Sequence, residues 1–425
     1  MTLLLVTLAL MLVLGIPVAY ALGLSACTYF VFVQPELLVV LPQRLFSGMN
    51  SYALIALPLF ILMGQIMNAS GITERLISFC LVFVGRVRGG LGLVNVGASM
   101  LFGGISGSSA SDTASIGSVL IPEMEKRGYP RDFAAGITVA SSTMGMIIPP
   151  SIPMVIYAVT AQESVGRLFL GGLIPGVLVG VLQLVFAYLI ARRRAYPKED
   201  ARFTGSRVIV EALRSSYIVI MPIFVVGTVV LGIATATESA GLGVLYALCV
   251  GFLVTRRLTL AGFHRALRSS ILTSAKIMMI IAMSQVFIWV LALERVPDEV
   301  ANLVVALDLP PVAMLLVISS IVLAAGTFVD VSPAILLLTP VFLPAVLEAG
   351  VSPVLFGVIL VSGLAVGACT PPVGNCLNVC SLVSGLRIGR IFRAALPFLA
   401  ANVVVLVLMT LFPELVLWVP RLLMD

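Results

Sequence analysis

Residues Gly103-Gly104-Ile105-Ser106-Gly107-Ser108-Ser109-Ala110-Ser111-Asp112-Thr113 combine glycines with a dense run of side-chain oxygens. The glycines permit unusual backbone angles, and the hydroxyls and carboxylate supply acceptors. Further along lies Gly145-Met146-Ile147-Ile148-Pro149-Pro150-Ser151-Ile152-Pro153. Two successive prolines remove two backbone donors and clash with the preceding turn, so no helix runs through this stretch unbroken. The chain offers the same pair again, as Gly326-Thr327-Phe328-Val329-Asp330 and Gly367-Ala368-Cys369-Thr370-Pro371-Pro372-Val373-Gly374. Unwound backbone away from water leaves carbonyls without partners at a cost of several kcal/mol per group. A small hard cation satisfies them, so each glycine-rich tip set against a proline gap is a candidate oxygen cage for Na⁺.

The surroundings are a membrane. Of 425 residues, 60% are hydrophobic and 10% charged, against about 25% charged in a soluble domain. Runs such as Met1 to Ala19, Leu168 to Ile190, Ile277 to Leu293 and Phe398 to Leu411 approach or reach the roughly 20 apolar residues of one crossing. The first run lacks a preceding basic residue and a small-residue cleavage site, and reads as a permanent helix. The six cysteines lie in apolar stretches without a CxxC pair and the single histidine, His264, is isolated, so no metal or redox cofactor is expected. The net charge of +6 belongs to Lys and Arg beside membrane segments, where they set topology and meet anionic lipid rather than nucleic acid.

A spacing of 222 residues aligns Gly104 with Gly326, Pro122 with Pro344, Gly128 with Gly350, Gly145 with Gly367, Pro149-Pro150 with Pro371-Pro372, and Pro175 with Pro397. The chain is a duplication, and the matched positions are helix breakers. Residues 1–200 form the first repeat: three helices, a hairpin near 89–122, a broken helix near 133–158 and a closing helix near 168–191. The three helices fall near 2–20, 22–41 and 52–70, followed by an interfacial stretch from Thr73 to Val87. Residues 201–425 form the second, with helices near 217–233, 237–255 and 270–293, a hairpin near 310–344, a broken helix near 353–384 and a closing helix near 393–419.

Charge fixes the orientation. The basic loop Arg192 to Arg207 and the cluster Arg256, Arg257, Arg265 and Arg268 face the cytoplasm, as do Arg86, Arg88, Lys126, Arg127, Arg131, Arg387, Arg390 and Arg393. The first hairpin then enters and leaves from the cytoplasmic side, and the second, flanked by Glu294, Asp298, Glu299 and Glu348, from the opposite side. Both are re-entrant and the two halves are inverted. Only Arg44, Arg167, Arg295 and Arg421 fall outside. Asp112 and Asp330 are costly in lipid and so are functional candidates, or caps of their hairpin helices. Lys276 is expected to snorkel to the cytoplasmic surface, and Glu238 to stabilise a helix N-terminus.

Phe102 through Ser108, Gly145 through Tyr157, Ala234 through Gly241 and Thr370 through Gly374 together resemble the large membrane subunit, the DctM-like permease, of tripartite ATP-independent periplasmic (TRAP) transporters. The resemblance runs through nearly the whole chain. It implies an all-α, inverted-repeat, elevator-type carrier of the bacterial inner membrane that imports organic acids by Na⁺ symport. The implied partners are a small DctQ-like membrane subunit and a periplasmic DctP-like substrate-binding protein. It implies one Na⁺ site at Ser106, Ser109, Gly145, Ile148 and Pro150 and a second at Gly326, Gly367, Thr370 and Val373. Ser108, Ser111, Asp112, Asp330, Pro149, Pro371 and Asn375 are then the candidates for the substrate region, although Asn375 and Asn378 depart from the more apolar continuation of many relatives. No enzyme activity is implied.

Two other readings use the same residues. A stand-alone Na⁺/dicarboxylate symporter shares hairpins, repeats and broken helices. An intramembrane serine protease would use Gly104-Ile105-Ser106-Gly107 as its nucleophile motif, but a nucleophilic serine needs a base within hydrogen-bond reach and His264 lies in a basic loop.

Overall fold

A computed structural model describes all residues except 85, 86, 198–204, 307, 308 and 425. Arg86, Lys198, Arg202 and the boundary drawn between the two halves at 200 and 201 lie outside the described residues. Every described regular element is a helix. The first half opens with α1 (Thr2–Val13), α2 (Val18–Val33), α3 (Leu41–Met49), α4 (Ala56–Ala69) and α5 (Ile72–Val84). Next come the paired helices α6 (Gly90–Ser106) and α7 (Ser109–Lys126), then α8 (Arg131–Ser142), α9 (Met144–Ile147), α10 (Ile152–Ala161) and α11 (Val165–Arg193). The second half holds α12 (Gly205–Val230), α13 (Ala236–Cys249), α14 (Leu260–Leu293) and α15 (Val296–Ala306). It continues with the pair α16 (Pro311–Phe328) and α17 (Val331–Glu348), then α18 (Pro353–Gly367), α19 (Asn375–Ser384), α20 (Ile388–Leu411) and α21 (Glu414–Met424). Among the described residues, eight helical stretches are long and apolar enough to cross a membrane.

Five stretches differ from the sequence expectation, two of them by early starts: α12 begins at Gly205 rather than near 217, and α14 at Leu260 rather than near 270. The helix expected over 2–20 stops at Val13, because Gly15 is left-handed (φ +77°) and Pro17 cannot continue it; α2 starts at Val18 and ends before Pro35. The closing helix expected over 393–419 is two helices. Phe412 is non-helical (φ −126°, ψ 80°) before Pro413, whose ring disfavours a helical predecessor. The second half also contains α15 between α14 and its hairpin, at the position that α5 holds in the first half. Glu238 caps α13 as expected, in a reciprocal pair with Thr235.

The core is built by exchange between halves. α7 packs on α19 and α17 packs on α10, so the second helix of each pair lies against the far side of the other half's break. α8 crosses α20 and α16 lies along α18. Behind the breaks runs a buried amide and hydroxyl chain: Gln183 donates to Asn402 (2.7 Å) and to the Ala140 carbonyl (3.0 Å), and Asn402 donates to Thr143 (2.8 Å). Asn95 donates to Thr138 at 2.7 Å, and the Ser99 and Ser141 hydroxyls lie 2.8 Å apart. Small residues admit such bonds by bringing helix axes close.

The α8–α20 crossing is the tightest of these contacts, since a Cβ on Gly136 would lie 2.6 Å from the Ala394 carbonyl carbon. Gly136→Ala is expected to cost about 1–3 kcal/mol through overpacking. Gly389→Ala, with nothing within 4 Å of its added Cβ, should leave the melting temperature in detergent unchanged or slightly raised.

Candidate functional site

Each hairpin tip is seated on a break. Ser106 ends α6, Gly107 turns with φ +62°, and Ser108 starts α7 in extended geometry. The Gly107 carbonyl accepts from Ile152 N at 3.4 Å, across the gap left by Pro149-Pro150. In the second half the Thr327 carbonyl accepts from Val373 N (3.1 Å) and Gly374 N (3.4 Å), across the gap left by Pro371-Pro372. Asp330 starts α17 as Ser108 starts α7, at the same place in the 222-residue register.

Glycine makes these contacts possible. A Cβ on Gly103 would lie 2.8 Å from the Gly145 Cα, and one on Gly367 would lie 2.7 Å from the Gly326 Cα. The structural partner of Gly145 is therefore Gly103, one residue before the position that the repeat spacing aligns with Gly326. Gly104 instead faces the Pro149 carbonyl and the Pro222 ring.

Behind the first tip the carboxylate of Asp112 is fully buried. One oxygen, Oδ1, accepts from the Ser106 hydroxyl. The other, Oδ2, has no hydrogen-bond partner and points at Gly145, where an added Cβ would lie 2.2 Å away. Ser106, Asp112 and Gly145 thus converge, with Ile148 and Pro150 following on the same gap. Ser109 is turned elsewhere: its hydroxyl accepts from the Cys376 thiol at 3.0 Å, on the other half's broken helix. Ser151 bridges the break, donating to the Met146 carbonyl and accepting from Met154 N. Sequence reasoning gave Ser151 no role, yet a serine directly before Ile152-Pro153 is a helix N-cap signal.

The second gap is more open. Gly326 and Gly367 are buried, but Pro372, the Val373 side chain, Asp330 and Asn375 are exposed. Thr370 Oγ1 donates to the Val366 carbonyl (2.9 Å), which leaves its lone pairs available. Asn375 Nδ2 donates to Asp330 Oδ1 at 3.2 Å, and Asn378 Nδ2 to the Val373 carbonyl at 3.0 Å. Pro149 is buried and Pro371 half-buried within their gaps.

Both tips open onto one cavity of about 380 Å³. Its wall includes Ser108, Ser109 and Ser111 from the start of α7, Ile152 and Pro153 from α10, Asp330 and Ser332 from α17, and Asn375 and Cys376 from α19. Four helix N-termini face the same space, each presenting the positive end of its dipole, although the first-turn amides of α10 are already taken by Gly107 and Ser151. Lys276 of α14 completes the lining as its one cationic side chain, with no ion-pair partner among the described residues. Lys276, expected to snorkel, lines this cavity and remains exposed. The opposite helix ends, at Ser106, Ile147, Phe328 and Gly367, carry the carbonyl-rich negative poles and adjoin the two gaps.

The sequence from residue 5 to 415 matches the family model described as tripartite ATP-independent periplasmic transporter, DctM component. The chain belongs to this family. It is 37% identical over 401 residues to the C4-dicarboxylate TRAP transporter large permease protein DctM of Pseudomonas aeruginosa, covering 94% of each. It is 35% identical to the sialic acid TRAP transporter large permease protein SiaM of Vibrio cholerae, covering 96% of this chain and 95% of that one. The isethionate TRAP transporter permease protein DctMQ of Oleidesulfovibrio alaskensis is 36% identical over 96% of this chain, which spans 64% of that relative's length. The fold resembles the Neisseria gonorrhoeae efflux pump MtrF (TM-score 0.65, 13% identity, 89% of this chain and 84% of that one). It also resembles the Alcanivorax borkumensis YdaH transporter (TM-score 0.61, 15% identity, 88% and 87%). The permease is a transport protein of the inner membrane and not an enzyme. Its nucleophile-like Ser106 is held by Asp112, whereas His264 Nδ1 lies 2.8 Å from the Leu260 carbonyl in the exposed first turn of α14.

The Asp112–Gly145 contact gives a direct test. Gly145→Ala is expected to lower the melting temperature, by an amount corresponding to about 1–3 kcal/mol of overpacking. Adding Asp112→Ala should restore part of the loss, because it removes the atoms that the new methyl meets. A double-mutant cycle with zero coupling would contradict the contact.

Proposed function

We propose that the permease is the large subunit of a Na⁺-driven importer of small organic acids, in which the central cavity takes the carboxylate and the two proline gaps take Na⁺. The observation that carries this reading is the polarity of the helix ends. The N-termini of α7, α10, α17 and α19 meet at the cavity, as anion-binding helix ends do, and the carbonyl-bearing ends adjoin the gaps, as cation-binding ends do. The relatives named for C4-dicarboxylates and sialic acid transport carboxylates, which agrees with this polarity.

Charge balance supplies the coupling. Within the cavity Lys276 and Asp330 cancel, so an incoming carboxylate meets no net charge from side chains. Na⁺ at Ser106, Asp112, Gly145, Ile148 and Pro150 neutralises a buried carboxylate oxygen that otherwise lacks a partner. Na⁺ at Gly326, Gly367, Thr370 and Val373 adds positive charge beside the cavity. Loading both favours the anion, and the anion favours loading; this reciprocity is thermodynamically required of coupled sites. Asp112 thereby moves from the substrate region to the first ion site, and Ser108, Ser111, Asp330 and Asn375 remain with the substrate.

The reading extends to movement. The two hairpins are re-entrant from opposite sides, the halves are inverted, and α6–α11 with α16–α21 travel as an elevator against α1–α5 and α12–α15. A DctQ-like small subunit braces the stationary helices and a periplasmic DctP-like protein delivers substrate. The DctMQ-named relative supports a small-subunit partner, because its length beyond this chain leaves room for one.

In proteoliposomes holding the permease with its partner subunits, replacing Na⁺ by choline should abolish accumulation. Undiminished uptake in choline sinks the proposal. Asp112→Asn and Thr370→Val should each raise the Na⁺ concentration for half-maximal uptake, Asp112→Asn by tenfold or more, since a charged ligand is the stronger one. Lys276→Gln should instead raise the substrate KM about tenfold at saturating Na⁺, the loss of about 1.4 kcal/mol of attraction.

A further inference from the structure

A second cavity, of about 580 Å³, lies away from the hairpins, between the end of α11 and the start of α20. Arg193 and Arg194 enter it from α11, Arg390 and Arg393 from α20, and Asp132 and Phe133 from the first turn of α8; Ala394 and Pro397 form part of its wall. Two arginine clusters almost two hundred positions apart in sequence are thus brought to one end of the bundle. We propose that this cavity binds the phosphate of an anionic phospholipid in the cytoplasmic leaflet.

Among the described residues the charge does not cancel within the cavity. Arg390 Nε reaches Asp132 Oδ2 at 3.3 Å, the single carboxylate among the lining residues. Arg194 Nη1 donates to the Tyr196 hydroxyl at 3.4 Å, a neutral partner. Arg193 and Arg393 have no carboxylate partner among the described residues. Guanidinium groups bind phosphate in a bidentate manner, and three without a carboxylate partner among the described residues surround this concave space.

The arginines are not demanded by the shared architecture. One repeat length before Arg387, Arg390 and Arg393 stand Val165, Leu168 and Gly171; one repeat length after Arg193 and Arg194 stand Leu415 and Val416. Neither cluster has a basic counterpart at the 222-residue spacing.

The position selects a lipid. One turn beyond Arg393, Leu396 is 47% exposed, followed by exposed Val403 and Val404 on α20. On α11 the residues leading up to the arginines, Val185, Tyr188 and Leu189, are likewise exposed. Apolar side chains so placed on a membrane protein lie against acyl chains, so the cavity sits where the hydrocarbon surface ends and headgroups begin. Basic pockets between transmembrane helices at that level are headgroup sites. A free phosphate makes the guanidinium contacts but gains nothing from these apolar stripes.

Full-length protein, delipidated in a neutral detergent, is titrated with phosphatidylglycerol, phosphatidylcholine or inorganic phosphate, with retention followed by native mass spectrometry and stability by thermal melting. Phosphatidylglycerol should remain bound and raise the melting temperature; phosphatidylcholine and millimolar phosphate should do neither. Arg193→Gln with Arg393→Gln should weaken phosphatidylglycerol retention at least tenfold. Arg192→Gln, one residue outside the cavity, should leave it unchanged. Equal retention of the two lipids, a full stabilisation by phosphate alone, or equal losses in Arg192→Gln and the double variant would each overturn the proposal. The lipid and phosphate arms need no variant, so the proposal stands or falls even if the double variant misfolds.

Discussion

Backbone touching backbone at Gly103–Gly145 and Gly326–Gly367 is the contact on which the rest of this molecule depends. A side chain at any of the four positions would push a hairpin off its break. The tip bonds from Gly107 to Ile152 and from Thr327 to Val373 and Gly374 would then lose their geometry. With them would go the seating of the carbonyl ends and the closure of the cavity floor. The prolines create unpaired backbone, and the glycines let a second piece of backbone come close enough to use it. Neither feature alone makes a site.

From that seating follows a separation of electrostatic character. Interrupting a helix exposes a positive N-terminal pole and a negative C-terminal pole. Because two hairpins and two broken helices meet, the interruptions are arranged as a set: four N-terminal poles line the central cavity, and the C-terminal poles flank the gaps, reaching the cavity wall at Ser106, Met146 and Ala368. Asp112 places a carboxyl group behind the first gap, and Lys276 lines the cavity opposite the charge of Asp330. Asp330 and Asn375 add a bonded polar pair at the cavity edge.

The two breaks share this plan but not their surroundings. Ser106, Asp112, Pro149 and Pro150 are buried, whereas Pro372, Val373, Asp330 and Asn375 are exposed. Behind the first break the Gln183–Asn402–Thr143 chain ties together α11, α20 and the turn after α8. Position 180, one repeat length before Asn402, is Gly180, so the tie has no twin. The two halves share their breakers but differ in the residues around them.

The sequence by itself determined a membrane-embedded, all-helical chain whose Gly and Pro breakers recur at a spacing of 222 residues. Those properties reside in composition and in Gly and Pro, whose effects on backbone are local and survive any packing. The helix over 2–20 was misjudged because Gly15 and Pro17 sit inside an apolar run whose hydropathy hides them; Pro413 was hidden likewise. Only the tertiary structure decided that Gly103 rather than Gly104 meets Gly145, that Ser109 turns to Cys376, and that Lys276 lines the cavity. It also decided that Asp112 lies with Ser106 and that Arg193 and Arg393 share a cavity. A one-residue shift in register rotates a helical side chain by about 100°, a consequence of 3.6 residues per turn. The partners each side chain meets therefore depend on how distant helices dock, which no local pattern encodes.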